Sequence, residues 1–164
     1  MRIFVLRTFM KTIKVNRGQV LQRPGDLNSK FYEVKSGLLR SYTIDDKGKE
    51  HIFMFASEDW IMADNVGPNT PAEMFIDALE DSELNQREKT EKVEPENEKL
   101  IRRIAVLQKR VIMLMSASGI ERYEHFVKTY PNIVQRVPQK MIASYLGITP
   151  EALSTVKKQR LSEK

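Results

Sequence analysis

Hydrophobic and polar positions change rhythm along this chain. From residue 13 to about 84 the apolar residues come in short runs, "QVLQRPGD", "KFYEVKSGLLRSYTID", "KEHIFMFAS" and "MFIDALEDSEL", rich in Val, Ile, Phe, Tyr and Leu. Gly18, Gly25, Gly37 and Gly48 punctuate them, and "DDKGK" at 45–49 has the make-up of a hairpin turn with Gly48 at positive φ. Short strands at such spacing, with no helical pattern between them, predict an antiparallel sandwich or barrel. Residues 85–98, "NQREKTEKVEPENE", are polar and are expected to end the sheet. Pro95 suits the first position of a new helix, with Glu96 and Glu98 favoured by the dipole in its opening turn.

The rhythm then becomes helical. Leu100, Ile104, Leu107, Val111 and Leu114 are spaced 4, 3, 4, 3, the a/d pattern of a coiled-coil seam. Two heptads leave two readings open, a dimer seam or a stripe packed on the chain's own sheet. Arg102, Arg103, Lys109 and Arg110 lie mostly off this line and keep its flanks soluble. Residues 119–164 read as helical pieces separated by "YPN" and "RVPQ".

The stretch "MIASYLGITPEALSTVKK", residues 141–158, begins as a helix, breaks at a glycine and restarts on Thr-Pro. Counting from Gly147, Ala143 lies four before, and Ile142, Leu146, Ile148, Leu153 and Val156 fall at −5, −1, +1, +6 and +9. A helix-turn-helix needs this arrangement. It wants a small residue where the helices cross, a residue tolerant of positive φ at the bend, and apolar side chains filling the angle. Thr149 suits the N-cap and Pro150 the first helical position, and the first helix is expected to begin at Pro138. An ordinary helical hairpin imitates most of these positions. In a DNA-reading motif the second helix lies in a major groove with its N-terminal residues toward base edges. Thr149, Glu151, Ser154 and Thr155 are then the candidate readers, Glu151 accepting from a cytosine amino group. Lys157, Lys158 and Arg160, with Lys140, are candidates for phosphate contacts; for each the plain alternative is a solvated charge.

Charge sharpens this picture. Residues 1–49 carry 11 basic and 4 acidic side chains, residues 50–98 carry 3 and 14, and residues 99–164 carry 13 and 4, giving nets of +7, −11 and +9. The last third is suited to a polyanion and the middle is not. There is no cysteine, which excludes disulfides, thiolate catalysis and cysteine-bound zinc or iron–sulfur clusters. Two distant histidines, His51 and His125, argue against a metal enzyme, including one of cupin type, which needs clustered His and carboxylate ligands. His51 reads as an exposed strand residue, and His125 and Tyr123 as packing or capping residues of a helix. The opening "MRIFVLRTFM" is too short and too charged for a secretory signal, and no apolar run reaches the length of a membrane span, so a cytoplasmic location is expected.

With these residues in view the chain resembles the Crp/Fnr family of bacterial transcription regulators. "GLLRSYTIDDKGKEHIFMF" with "SEDW" carries the resemblance in the β region, and "ERYEHFVKTYPNIVQRVPQKMIASYLGITPEALSTVKK" carries it at the C-terminus. The resemblance implies an α+β chain in three parts. Residues 1–94 form an antiparallel β jelly roll (a double-stranded β-helix) of the cyclic-nucleotide-binding type, residues 95–118 a long dimerisation helix, and residues 119–164 an all-α helix-turn-helix DNA-binding domain. It also implies a homodimer on inverted-repeat double-stranded DNA, RNA polymerase as a partner, no enzyme activity, and a small-molecule effector in some members. Members that bind cyclic AMP hold its phosphate with a Gly-Glu pair and, some ten residues on, an Arg-Ser pair. On an ungapped match these fall on Met62-Ala63 and Glu73-Met74, and no Lys or Arg occurs from residue 50 to 86. A phosphate there would meet carboxylates and no cation, so cyclic nucleotide binding is not expected and no cofactor is assigned. Thr155 and Pro150 stand where relatives place Arg, and the chain ends soon after Arg160, where many relatives form a wing. A second reading is therefore a small-molecule sensor or protein-interaction module with weakened DNA binding.

Overall fold

The computed structural model describes residues 10–89 and 97–162, without the side chains of residues 97–100, 102 and 103. It divides into two compact units, Met1–Val93 and Glu94–Lys164. The first holds eight strands: β1 Lys11–Val15, β2 Val20–Gln22, β3 Lys30–Ser36, β4 Leu39–Ile44, β5 Glu50–Ala56, β6 Ile61–Met62, β7 Phe75–Ala78 and β8 Ser82–Glu88. They form two four-stranded sheets in the orders β1-β8-β3-β6 and β2-β7-β4-β5, antiparallel throughout, which is a jelly-roll order. Period-two alternation sends Val15, Tyr32, Val34 and Leu84 inward from the first sheet and Leu39, Ala56, Ile76 and Ala78 from the second, with Met62 between them.

Two details depart from the sequence pattern. The run "KFYEVKSGLLRSYTID" is broken at Gly37 into β3 and β4, which belong to different sheets. Gly37 has φ +97°, and a Cβ there would lie 2.1 Å from Ser82 Oγ and 2.8 Å from the Asp81 carbonyl oxygen. Only glycine lets the chain turn this corner. The sheet also continues past residue 84, because β8 runs to Glu88 between β1 and β3. Its backbone is bonded on both sides whatever its side chains are. Asn85 is placed by Thr12 Oγ1, which donates to its amide oxygen at 2.9 Å, and by Glu33, which accepts from its amide nitrogen at 2.8 Å. The turn at 45–49 forms as expected, with Gly48 at φ +76° and its N–H on the Asp45 carbonyl at 2.9 Å.

On β4 both faces are covered. Leu39 and Ser41 face the core, while Arg40 and Tyr42 lie on the other side of the sheet. Arg40 donates in a fork to Asp77 at 2.8 and 3.0 Å and to Glu50 at 2.6 Å, and its guanidinium stands 4.0 Å from the Tyr42 ring centroid. The bidentate geometry compensates for removing a guanidinium from water.

The second unit contains α1 Asn97–Ser116, α2 Gly119–Thr129, α3 Gln139–Leu146 and α4 Pro150–Ser162. The expected helix start at Pro95 and Glu96 lies outside the described residues, as does the Glu98 side chain. Ser118 opens α2 with a capping box. Its hydroxyl accepts from the Glu121 N–H, and the Glu121 carboxylate accepts from the Ser118 N–H at 2.7 Å. The core of this unit joins Tyr123, Phe126, Tyr130, Ile133 and Val137 to Ile142, Ala143, Tyr145, Leu146, Leu153 and Val156. Phe126, Tyr130 and Tyr145 meet with ring centroids 5.3, 5.3 and 5.6 Å apart.

Candidate nucleic-acid interface

The bend between α3 and α4 is set by Gly147, at φ 68° and ψ 30°, whose N–H returns to the Ala143 and Ser144 carbonyls. Ile148 N–H also reaches the Ala143 carbonyl, at 3.0 Å. Of the positions read from Gly147, Ile142, Ala143, Leu146, Leu153 and Val156 are buried, and Ile148 is half-buried. Thr149 precedes α4, and its Oγ1 accepts from the Ala152 N–H at 3.2 Å, as an N-cap does. α3 begins at Gln139, directly after Pro138.

Arg122, which sequence reasoning passed over, stitches this unit together. Its guanidinium donates to three carbonyls: Leu114 at 2.8 Å near the end of α1, Ala117 at 3.0 Å just beyond it, and Leu146 at 3.1 Å on the last residue of α3. Helix C-termini present carbonyls without intrahelical partners and a partial negative charge, so one cation satisfies both ends. The signal in the sequence was slight, one arginine between Glu121 and Tyr123 in a charged stretch.

The candidate readers share one exposed surface. Thr149, just before α4, and Glu151, Ser154 and Thr155 on its first two turns are all exposed, and Lys158 and Lys140 are exposed as well. The Glu151 carboxyl is held below the usual range by its own backbone N–H and by the Thr149 hydroxyl. Two of the expected phosphate contacts are placed differently. Lys157 is half-buried and donates to the Gln139 side-chain oxygen at 3.1 Å. Arg160 is turned toward α2, with its guanidinium 5.6 Å from the Tyr123 ring centroid and its Nε 4.0 Å from a Glu124 oxygen. An arginine lying on an aromatic face is not extended toward a phosphate.

On α1 the expected line is only partly the exposed one. Ile104 and Val111 are exposed, but Leu107 and Leu114 are half-buried, with a Leu114 methyl near the Gly147 bend. The Leu100 side chain lies outside the described residues. The large apolar residues left in the open on α1 are Ile101, Ile104, Val106, Val111, Ile112 and Met115, at 54–81% exposure. Ile101, Ile104, Gln108, Val111 and Met115 follow one another at 3-4-3-4 spacing, a line rotated from the expected one, while Val106 and Ile112 lie off it. Of the histidines, His51 is exposed on β5 and lies 2.8 Å from Asp45, while His125 is exposed on α2 near Thr129. Tyr123 is buried, as expected.

In the first unit the loop between β6 and β7 closes on Asp64. This carboxylate is 3% exposed. One of its oxygens accepts from the Glu73 N–H at 2.7 Å, the Met74 N–H at 3.0 Å and Gln22 Nε2 at 3.2 Å. The other accepts from the Asn65 N–H at 2.7 Å. Lys89, just beyond the cation-free segment, holds the same loop from outside. Its ammonium donates to the Asp64 and Val66 carbonyls at 2.5 and 2.9 Å and to Ser29 Oγ at 2.8 Å. Burial lowers the Lys89 pKa from its ordinary value, with Asp64 opposing the shift. Among the described residues no group of three metal-ligating side chains comes together, and no helix is long and apolar enough to cross a membrane.

No family model and no curated protein matches this chain. Solved structures do. FixK2 of Bradyrhizobium japonicum superposes with a TM-score of 0.76 at 15% identity, covering 94% of this chain and 86% of that one. The fold is one the Crp/Fnr regulators share. A CRP/FNR-family transcriptional regulator of Thermus thermophilus gives a TM-score of 0.69 at 17% identity, covering 93% of this chain and 87% of that one. CLP, a c-di-GMP-responsive global regulator of Xanthomonas campestris, gives 0.61 at 15% identity, covering 94% and 87%. The last two are transcriptional or global regulators by name, and at such identities the likeness is one of fold.

Proposed function

We propose that this protein is a homodimeric, sequence-specific DNA-binding transcription regulator in which α3 and α4 form a helix-turn-helix. The observation that carries this reading is the surface of α4. Two turns of small polar residues, Thr149, Glu151, Ser154 and Thr155, are exposed beyond a capped N-terminus, and Lys158 follows. A helix so presented fits a major groove, its N-terminal residues on base edges and its later cation on a phosphate. The open apolar line on α1 supports self-association, since a second copy of a 20-residue helix, about 30 Å long, covers it. A two-fold pair places two α4 helices on half-sites about 34 Å apart, so the preferred site is an inverted repeat.

The jelly-roll unit is proposed not to answer to cyclic AMP. The cation that approaches its β6–β7 loop, Lys89, is engaged with carbonyls, and the loop's N–H groups face Asp64. Calorimetric titration should show no saturable binding of cyclic AMP or cyclic GMP.

Selection from random duplexes, followed by affinity measurements across a salt series, tests the main reading. It should return an inverted repeat, and Glu151→Ala should relax preference at one base pair of each half-site. Recovery of no repeat would refute it. The inward placement of Arg160 and the engagement of Lys157 favour the second reading, a sensor or interaction module with weakened DNA binding. That reading predicts a shallow salt dependence on every duplex.

A further inference from the structure

The hydrogen bonds on α4 narrow which bases it can read, an inference that rests on the DNA-binding reading above. The exposed side chains of its N-cap and first two turns are Thr149, Pro150, Glu151, Ala152, Ser154 and Thr155. None carries a side-chain N–H. The hydroxyls are the remaining source of donors, and each has one proton and two lone pairs. Ser154 Oγ donates to the Pro150 carbonyl at 3.1 Å, and Thr155 Oγ1 donates to the Glu151 carbonyl at 3.2 Å. A carbonyl only accepts, so both protons point into the helix and lone pairs are left outside. The Thr149 hydroxyl is turned to the Glu151 carboxylate. An ionised carboxylate accepts and does not donate.

We infer that the reading surface of this helix is acceptor-only, and that it recognises exocyclic amino groups of cytosine or adenine together with thymine methyls. In the major groove cytosine presents its N4 amino donor, and adenine an N6 donor beside N7. Guanine presents two acceptors, O6 and N7, which oppose the lone pairs of this surface. Thymine offers a methyl to Pro150, Ala152 and the Thr155 methyl. Contacted pairs are therefore read from their cytosine, adenine or thymine edge, without the bidentate donor that a guanine edge requires.

The test uses the full chain and its selected site, with one base analogue placed at a time. Deoxynebularine removes the adenine amino group, a 2-pyrimidinone base removes that of cytosine, uracil removes the thymine methyl, and 7-deazaguanine removes guanine N7. The same replacements outside the half-sites control for duplex stability. Loss of a contacted amino group should weaken binding by about 5- to 150-fold, whereas 7-deazaguanine at any position should leave affinity unchanged. A loss on 7-deazaguanine with amino-deleted bases tolerated overturns the inference. Indifference to every analogue, with site preference retained, also overturns it, because the site is then read by shape. Failure to bind any duplex in a salt-dependent way is a different result, and refutes the DNA reading itself.

Discussion

Replacing Asp64 with alanine should loosen the jelly-roll unit more than almost any other polar substitution in it. The carboxylate is buried and accepts four hydrogen bonds, three from backbone N–H groups and one from the Gln22 amide. Truncation leaves three backbone donors facing an apolar methyl and leaves Gln22 Nε2 with its bond to the Met74 carbonyl at 2.8 Å alone. A buried donor without a partner costs about 1–3 kcal/mol. The three backbone contacts are part-buried and the Gln22 one is buried but keeps a second partner, so the lower end of the range applies, or roughly 4 kcal/mol over the four lost bonds. Part of that is offset because a buried carboxylate no longer has to be desolvated, leaving about 3 kcal/mol. Asp64→Asn keeps the shape and one acceptor oxygen but turns an NH2 toward N–H groups, so it should lose about 2 kcal/mol. The chain has a single tryptophan, Trp60, at the start of the same β6 region, so its fluorescence reports this unit alone. With a urea slope of about 2 kcal/mol per M, the midpoint should fall by about 1.5 M for the alanine variant, at unchanged slope. An alanine variant within about 0.5 kcal/mol of wild type, the range of an ordinary surface change, would refute the reasoning.

Three further outcomes follow from the second unit. Arg122→Met should uncouple the ends of α1 and α3 and cost about 3 kcal/mol, because three charge-assisted bonds are lost; thermal unfolding by far-UV circular dichroism checks this. Val111→Glu, in the open apolar line, should convert a dimer into a monomer in sedimentation at micromolar concentration, whereas Leu107→Glu should also lower the melting temperature because Leu107 is half-buried. Lys158→Ala should reduce the slope of log affinity against log salt by about one unit, while Arg160→Ala should leave the slope unchanged and lower stability instead. Equal slope changes for the two would show that the inward placement of Arg160 does not persist on DNA.

Local geometry was legible in the sequence and distant geometry was not. The Gly147 bend, the Thr149 cap and the Gly48 hairpin each depend on residues within a few positions, so spacing alone announces them. The corner at Gly37 depends on Ser82 and Asp81 crowding it from the far end of the unit, which no local pattern reveals. β8 was cut short because Asn85, Gln86 and Arg87 look like a loop, although a central strand is held by two neighbours through its backbone. The apolar line expected on α1 ran through Leu107 and Leu114, which are half-buried, because which apolar residues of the helix stay open depends on packing within the second unit. Arg160 was placed among the phosphate contacts because α4 continues its basic run. Its turn toward Tyr123 required knowing that α2 lies beside it.

The closure of the β6–β7 loop on Asp64 can be restated as a competition. The donors at Asn65, Glu73, Met74 and Gln22 are the kind of convergent N–H set that holds an oxyanion elsewhere, but here the oxyanion is tethered to the same chain. A tethered group in register acts at an effective concentration that no dissolved anion attains, of order 10⁵ M or more for a well-oriented pair. Millimolar phosphate, free or esterified, is therefore expected to lose the competition for these donors. A signal that moves this unit is therefore expected to enter away from these four donors, which Asp64 already occupies.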